Sequence, residues 1–271
     1  MNESQPISLQ AAADLLGVHY MTAYRYIRLG KLPAYKDGNT WRVELADIES
    51  LMSPPTAAAT QDWPARLEDR LLDGDEPGAW SIIEAALTSG GQPRDIYERG
   101  LLPALRSIGE RWEGGRIDIA DEHRASLIAT RLVGRISPRF TPRGRRRGSI
   151  ILGSPPGDAH HLGGTMLADL LRLDHFNVDD LGANTPAESF VHAVKQTSDL
   201  VAVGISAFAP ENEEAIERTV GMIKTASSVP VFLGGGAIQD AAHAEKLGAD
   251  GFAASTDEVV ELFRSALGDR A

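Results

Sequence analysis

Apolar positions recur with two different periods along this chain of 271 residues, and the changes of period divide it. Near the start, Ser8 can cap a helix bearing Leu9, Ala12, Ala13, Leu15 and Leu16, which Gly17 stops. A second helix is predicted over 20–29, ending at Gly30. Asp37-Gly38-Asn39 then lies between two extended pieces within 36–43, a hairpin signal, and 47–52 reads as a last short helix. From 63 to 136 the spacing is helical in four segments, 66–72, 79–88, 96–112 and 120–136, for which a four-helix bundle is the economical packing. Beyond 148, strands are predicted at 149–153, 177–181, 200–205, 230–233 and 251–253. Helices at 162–173, 187–197, 213–226, 241–247 and 257–267 alternate with them. That alternation implies a parallel sheet with helices on both faces, which binds ligands beyond the C-terminal ends of its strands.

Two stretches interrupt the pattern. Ser53-Pro54-Pro55-Thr56, with the Ala/Thr run to Thr60, reads as a linker, and 137–148 holds two prolines, two glycines and a cluster of arginines. The expected units are therefore 1–53, a linker 54–62, 63–137, an arginine-rich linker 138–148, and 149–271. No cysteine is present, which excludes disulfides, thiolate metal sites and cysteine nucleophiles and suits a reducing compartment. The start, Met-Asn-Glu-Ser-Gln-Pro, has no signal-peptide pattern, and no run approaches the ~20 apolar residues of a membrane span, so the expectation is a cytoplasmic protein without a membrane partner. A net charge of -11 speaks against nucleic-acid binding through bulk charge. Charge is uneven, however: Arg139, Arg143, Arg145, Arg146 and Arg147 crowd one linker, either as a solvated segment or as a source of phosphate contacts.

Three loops gather at the ligand-binding edge of the predicted sheet: 153–164, Gly204 to Phe208, and Gly234-Gly235-Gly236-Ala237. Asp158-Ala159-His160-His161-Leu162-Gly163 places an imidazole at the rim. The Asp two residues earlier can hold one ring nitrogen and raise the basicity of the other toward a metal. Small residues beside it let a broad, flat ligand approach the backbone. Asp158, His160, Gly163, Ser206, Gly234 and Gly235 occur in the order of a known signature, D-x-H-x-x-G, then S-x-L, then G-G. This segment resembles the cobalamin-binding domain of corrinoid proteins, with Phe208 where the pattern has Leu. The resemblance implies that His160 is the lower axial ligand of cobalt and that Asp158 orients it. It also implies that the displaced nucleotide tail runs beside Gly163, Ser206, Gly234 and Gly235.

Within the bundle, Trp112 is followed after nine residues by Glu122-His123, with Gly114-Gly115 between. This looks like the cap of the CarH-type light-sensing regulators, which bind adenosylcobalamin. The resemblance implies that Trp112 packs on the upper ligand and that Glu122 and His123 face the adenosyl group or the corrin. Light-sensing members carry a His directly after the Trp, whereas this chain has Glu113, a weaker partner for cobalt. Methylcobalamin, hydroxocobalamin or a related tetrapyrrole therefore stay open beside adenosylcobalamin, and His123 and His161 are the spare imidazoles.

The run from Leu16 to Ala34 resembles the excisionase and MerR-like DNA-binding domains. Leu16, Val18, Ala23 and Ile27 are spaced to pack two helices, leaving Tyr20, Thr22, Arg25 and Arg28 near the outer face of the second. Lys31, Lys36 and Arg42 extend a basic side toward the hairpin, with Tyr35 and Trp41 as wing contacts. The whole is expected to be multidomain: an all-α winged helix-turn-helix, a four-helix bundle cap and an α/β Rossmann-like (flavodoxin-like) domain with a parallel sheet. The function expected is that of a non-enzymatic, cobalamin-dependent, light-responsive transcriptional regulator. Its expected partners are a double-stranded DNA operator and itself, as homodimer or homotetramer. The alternatives are a light-independent cobalamin or tetrapyrrole sensor and a corrinoid methyl carrier of a methyltransferase system.

Overall fold

A computed structural model describes residues 6–28, 32–38, 40–45, 47–48 and 63–268, in two compact units, Met1–Asp62 and Trp63–Ala271. In the first unit, β1 (Ile7–Ser8) leads into α1 (Leu9–Leu15), whose cap is the Ser8 side chain accepting from the Ala11 amide at 3.3 Å. α2 (Tyr20–Arg28), β2 (Tyr35–Asp37) and β3 (Thr40–Val43) follow. β3 pairs antiparallel with both other strands, so the hairpin becomes a three-stranded sheet rather than an appendage of an all-α unit. Two residues of β1 are too few to carry a periodicity, which is why the pattern did not show them. Leu9, Ala12, Ala13, Ala23, Leu32, Val43 and Ile48 form the core, with Leu16, Val18 and Ile27 packed against it. Leu15, also on α1, is 50% exposed, because the stripe of the helix turns inward at positions 9, 12, 13 and 16. Residues 29–31 and most of the predicted helix 47–52 lie outside the described residues, as does the linker 54–62.

The second unit begins with α3 (Trp63–Leu72) and α4 (Glu76–Thr88), the latter capped by Asp75 accepting from the Gly78 amide at 2.8 Å. The predicted helix 96–112 is instead three pieces in one line: α5 (Pro93–Ile96), a π turn (Tyr97–Leu101) and α6 (Leu102–Glu113). Pro103 accounts for the break, since it has no N–H for the carbonyl four residues back and its ring crowds that carbonyl. α7 (Ile119–Ile136) starts with a reciprocal capping box between Asp118 and Asp121 and ends in a 3-10 turn (Ser137–Phe140).

The sheet and its helices then alternate as the pattern predicts: β4 (Ser149–Gly153), α8 (Leu162–Leu173), β5 (Asn177–Asp180), α9 (Ala187–Gln196), β6 (Leu200–Ser206), α10 (Glu213–Ala226), β7 (Val231–Gly234), α11 (Ala241–Lys246), β8 (Gly251–Phe252) and α12 (Thr256–Gly268). All pairings are parallel, in the order β5-β4-β6-β7-β8. Ile150 and Leu152 of β4 enter a core shared with the bundle, while Ile151 points into a second core under α9 and α10. Chain order reverses between β4 and β6, which in sheets of this kind sets a crevice at the C-terminal strand ends.

Bundle and sheet are joined through a buried carboxylate. Asp169 of α8 is 1% exposed; it accepts from the Tyr97 hydroxyl at 2.7 Å, from Arg172 at 3.0 Å and from the Ser137 hydroxyl. Arg172 also donates to the Val178 carbonyl at 3.2 Å, and Tyr97 stacks on Phe140 with centroids 4.7 Å apart. Burial and the hydrogen bond to Asp169 push the Tyr97 phenol well above its usual range. A buried charge is tolerable only with such donors around it. Replacing Tyr97 by Phe removes one of them without opening a large cavity. We expect a loss of about 1.5–3 kcal/mol, the worth of a hydrogen bond to a charged group, read as a lower midpoint in urea unfolding with an unchanged slope.

Candidate functional site

The crevice is built on the loop after β4. Asp158 there has a fully buried side chain, and both its oxygens are engaged. Oδ1 accepts from the His160 amide at 3.0 Å and pairs with His160 Nδ1 at 2.7 Å. Oδ2 accepts from the amides of Phe208 at 2.6 Å and Ala209 at 3.0 Å, in the loop after β6. Burial alone would raise the Asp158 carboxyl. The hydrogen bonds from His160 and from the Phe208, His160 and Ala209 amides outweigh it and bring it down to about 2. Asp158 is thus a fixed negative charge that ties two strand ends together.

His160 stands on that charge. Its hydrogen bond to Asp158 raises the imidazole above its ordinary value against the opposing effect of burial, helped by the charges of Asp158 and Glu122. The side chain is 61% exposed and lies 5.6 Å, centroid to centroid, from the Phe208 ring. With Nδ1 held by the carboxylate, Nε2 is the nitrogen left for a ligand. Other contacts of the loop were not legible in sequence. Ser154 donates to the His160 carbonyl at 2.7 Å, and the Gly157 amide donates to Asn184 Oδ1 at 2.8 Å. The Asn212 amide group reaches the Pro156 carbonyl. Asn184 has a φ of 49°, a backbone conformation that Asn tolerates better than most residues.

The remaining residues singled out from the sequence converge on the same edge. Ser206 ends β6 directly across from Gly234 of β7. Gly235 has a φ of 102°, and a Cβ there would run into the Ala207 carbonyl, so only glycine fits. A Cβ on Gly163 would stand 3.2 Å from the Phe208 ring, and one on Gly234 3.2 Å from the Ala253 carbonyl.

The bundle contributes the opposite side. Glu122 binds its neighbour His123, Oε2 to Nδ1 at 2.6 Å, and accepts from the Ser126 hydroxyl at 2.6 Å. Farther along the same face of α7, the Thr130 hydroxyl meets His161 Nε2 at 3.3 Å. The exposed large apolar side chains of this unit are Trp112, Ile119, Leu127 and Phe208, on the end of α6, on α7 and on the β6 loop. Glu113, next to Trp112, is exposed.

In the first unit, Tyr20 and Arg25 of α2 are exposed and Thr22 is half-buried. Lys36 lies over the Trp41 ring at 5.5 Å, and Arg42 pairs with Asp37 at 3.4 Å. Trp41, expected as a wing contact, packs edge-on against Tyr24 and the core, whereas Tyr35 is 49% exposed. Lys31 and the side chain of Arg28 lie outside the described residues.

Comparison with known proteins matches residues 64–136 and, separately, 148–263 to B12 binding domains, and residues 7–53 to a helix-turn-helix domain. A trimethylamine corrinoid protein of Methanosarcina acetivorans is 26% identical over 216 residues, spanning 78% of this chain and 99% of the relative. A dimethylamine corrinoid protein of Methanosarcina barkeri is 27% identical over 200 residues, spanning 72% of this chain and 92% of the relative. Among solved structures, the monomethylamine corrinoid protein of Methanosarcina barkeri superposes with a TM-score of 0.65 at 20% identity, over 72% of this chain and 94% of that one, which shows the shared fold. The chain carries cobalamin-binding domains behind a helix-turn-helix domain. Among the described residues, no helix is long and apolar enough to cross a membrane.

The crevice fits such a cofactor. It presents a carboxylate-held imidazole with one nitrogen to spare, and glycines beside it of which Gly235 admits no side chain and Gly163 and Gly234 leave little room for one. In the cofactor-free protein, His160 has a folded-state pKa above its unfolded value. The stability due to its protonated pair with Asp158 is complete below about pH 6.5 and is lost as pH rises through the elevated folded value. Following the His160 ring by NMR should give that elevated midpoint, and Asp158→Asn should bring it down. A wild-type midpoint at or below the ordinary value would contradict the assigned pair.

Proposed function

We propose that this chain is a cobalamin-dependent transcriptional regulator, with adenosylcobalamin as its ligand, light as its signal, and DNA binding and self-association as its output. One observation carries the reading: the helix-turn-helix match at 7–53 stands ahead of two B12 binding domain matches. About three quarters of this chain accounts for nearly the whole length of the corrinoid proteins it resembles, so it has sequence that they lack.

In this reading His160 would hold the cobalt, and Asp158 would fix its tautomer and raise its basicity. Gly163, Ser206, Gly234 and Gly235 line the nucleotide tail. Trp112, Glu113, Glu122 and His123 would meet the cofactor from the bundle. Adenosylcobalamin, when bound, supplies a cobalt–carbon bond that visible light cleaves. The contribution of the chain is to hold Trp112 exposed at the end of α6, where an apolar ring gains most by being covered. On α2, Tyr20, Thr22, Arg25 and Arg28 address a DNA groove, with Lys31, Lys36 and Arg42 toward phosphates. Because one small domain makes few contacts, a dimer or tetramer on repeated half-sites supplies the affinity. The names of the corrinoid relatives favour a second reading, a corrinoid methyl carrier. Methyl transfer from methylcobalamin to a thiol, catalysed by a partner methyltransferase, would support it.

The test is an absorption spectrum of the adenosylcobalamin-loaded chain in the dark and under green light, run beside a mobility-shift assay on upstream DNA. We expect the spectrum to change and the DNA complex to dissociate. An unchanged spectrum with unchanged DNA binding would remove light as the signal, which is where the carboxylate of Glu113 would show its effect. His160→Ala should alter the lower-ligand features of the spectrum, and identical spectra would remove His160 as the ligand.

A further inference from the structure

The segment before β4 is the other concentration of chemistry in the chain. Five of its 27 basic residues, Arg139, Arg143, Arg145, Arg146 and Arg147, fall between 137 and 148, where no acidic residue occurs. Residues 141–148 are neither helix nor strand, yet the segment is pinned at its end. The Arg147 amide donates to the His175 carbonyl at 2.9 Å, and the Gly148 carbonyl accepts from the Asn177 amide at 2.8 Å. Both contacts lie at the N-terminal ends of β4 and β5, the edge of the sheet opposite His160 and Ser206. There Arg145, Arg146 and Arg147 line an open cleft of about 470 Å³ together with His175 and Leu267.

The nearest acid does not neutralise this cluster. Asp174 is already bound by Arg264 through Nε at 2.8 Å and Nη2 at 2.5 Å, and Arg147 stands 4.0 Å from it. The hydrogen bond from Arg264 holds the Asp174 carboxyl below its usual range. Arg143, Arg145 and Arg146 are exposed and have no ionic partner among the described residues. Exposed guanidinium groups, held by a pinned backbone around an open cleft, suit a phosphate ligand better than a carboxylate network within the protein.

The distribution of charge selects the kind of phosphate. Four arginines over residues 143–147 occupy at most roughly 14 Å of extended chain. Even at that full extension there is about one cation per 3.4 Å, a charge density at least that along one strand of a DNA duplex. A single free phosphate would use two or three donors converging on a point; Arg145, Arg146 and Arg147 share the cleft, and exposed Arg143 carries the positive charge beyond it. We propose that the 143–147 strap is a second DNA contact, binding the phosphate backbone of the duplex without reading its sequence. The inference rests on the reading of the chain as a DNA-binding regulator and deepens it, because the -11 net charge otherwise opposes a duplex.

The experiment uses the full chain loaded with adenosylcobalamin in the dark and a fluorescently labelled duplex, with anisotropy measured across a range of salt concentrations. Arg143→Ala/Arg145→Ala/Arg146→Ala should leave the corrin spectrum intact. It should lower the slope of log affinity against log salt by about 2 to 3, since each lost phosphate contact removes about 0.9. An unchanged slope and affinity in that variant overturns the proposal. If Arg25→Ala still weakens binding in the same assay, the regulator reading survives that result. Absence of any duplex binding by the wild type sinks both together. Inorganic tripolyphosphate is the third arm: loss of its binding in the triple variant, with DNA binding unchanged, makes the strap a small-phosphate site and likewise overturns the proposal.

Discussion

Everything at the crevice depends on one buried carboxylate. Asp158 accepts four hydrogen bonds, two from His160 and two from backbone amides fifty residues later in the chain. The bonds from Phe208 and Ala209 clamp the loop after β4 to the loop after β6, the two strands that flank the switch in chain order. Once clamped, the carboxylate has no freedom to reorganise, and His160 inherits its position. A charge without water is costly unless its lone pairs are met, and the low pKa of Asp158 is the signature that they are. The same bonds therefore stabilise the loop pair and set the orientation and basicity of the imidazole.

That arrangement specifies a cofactor face and nothing about output. A carboxylate-held histidine beside these glycines would serve a protein that carries chemical groups as well as one that senses. What separates the readings lies outside the sheet: the helix-turn-helix unit, the exposed Trp112 with Glu113 beside it, and the Glu122–His123 pair on α7. The last of these repeats the Asp158–His160 device at 2.6 Å, on the other side of the crevice, with a similarly exposed ring but a half-buried acid in place of a fully buried one.

Much of this was legible in the sequence, for physical reasons that also explain the gaps. The parallel sheet could be read because β4 and β6 are buried along their length and show as short apolar runs. Asp158 and His160 could be paired because they are two residues apart in one loop. The amides of Phe208 and Ala209 could not, since backbone donors leave no trace in side-chain chemistry. Asp169 and Arg172, three apart on α8, look like an ordinary surface pair; burial comes from Tyr97, 72 residues away. The π turn follows from Pro103, a signal present in the sequence but masked by the helical spacing on either side.

The bundle is fastened to the sheet unevenly, and this shapes how the site can work. At the C-terminal end of α7, Ser137 and the nearby Tyr97 bind the dry carboxylate of Asp169, an attachment costly to break because it would strand a buried charge. Toward the middle of α7, Thr130 meets His161 at 3.3 Å, a long and exposed contact that costs little to lose. Trp112, Glu122 and His123 belong to the loosely held end. A group placed between α7 and the β4 loop would work against the Thr130–His161 contact before it reached the Asp169 cluster or the shared core. Ligand binding shifts a conformational equilibrium only by the difference in its contacts with the two arrangements. On the proposed reading, those differential contacts would fall on the side chains at that end of α7 and α6, Glu113 among them.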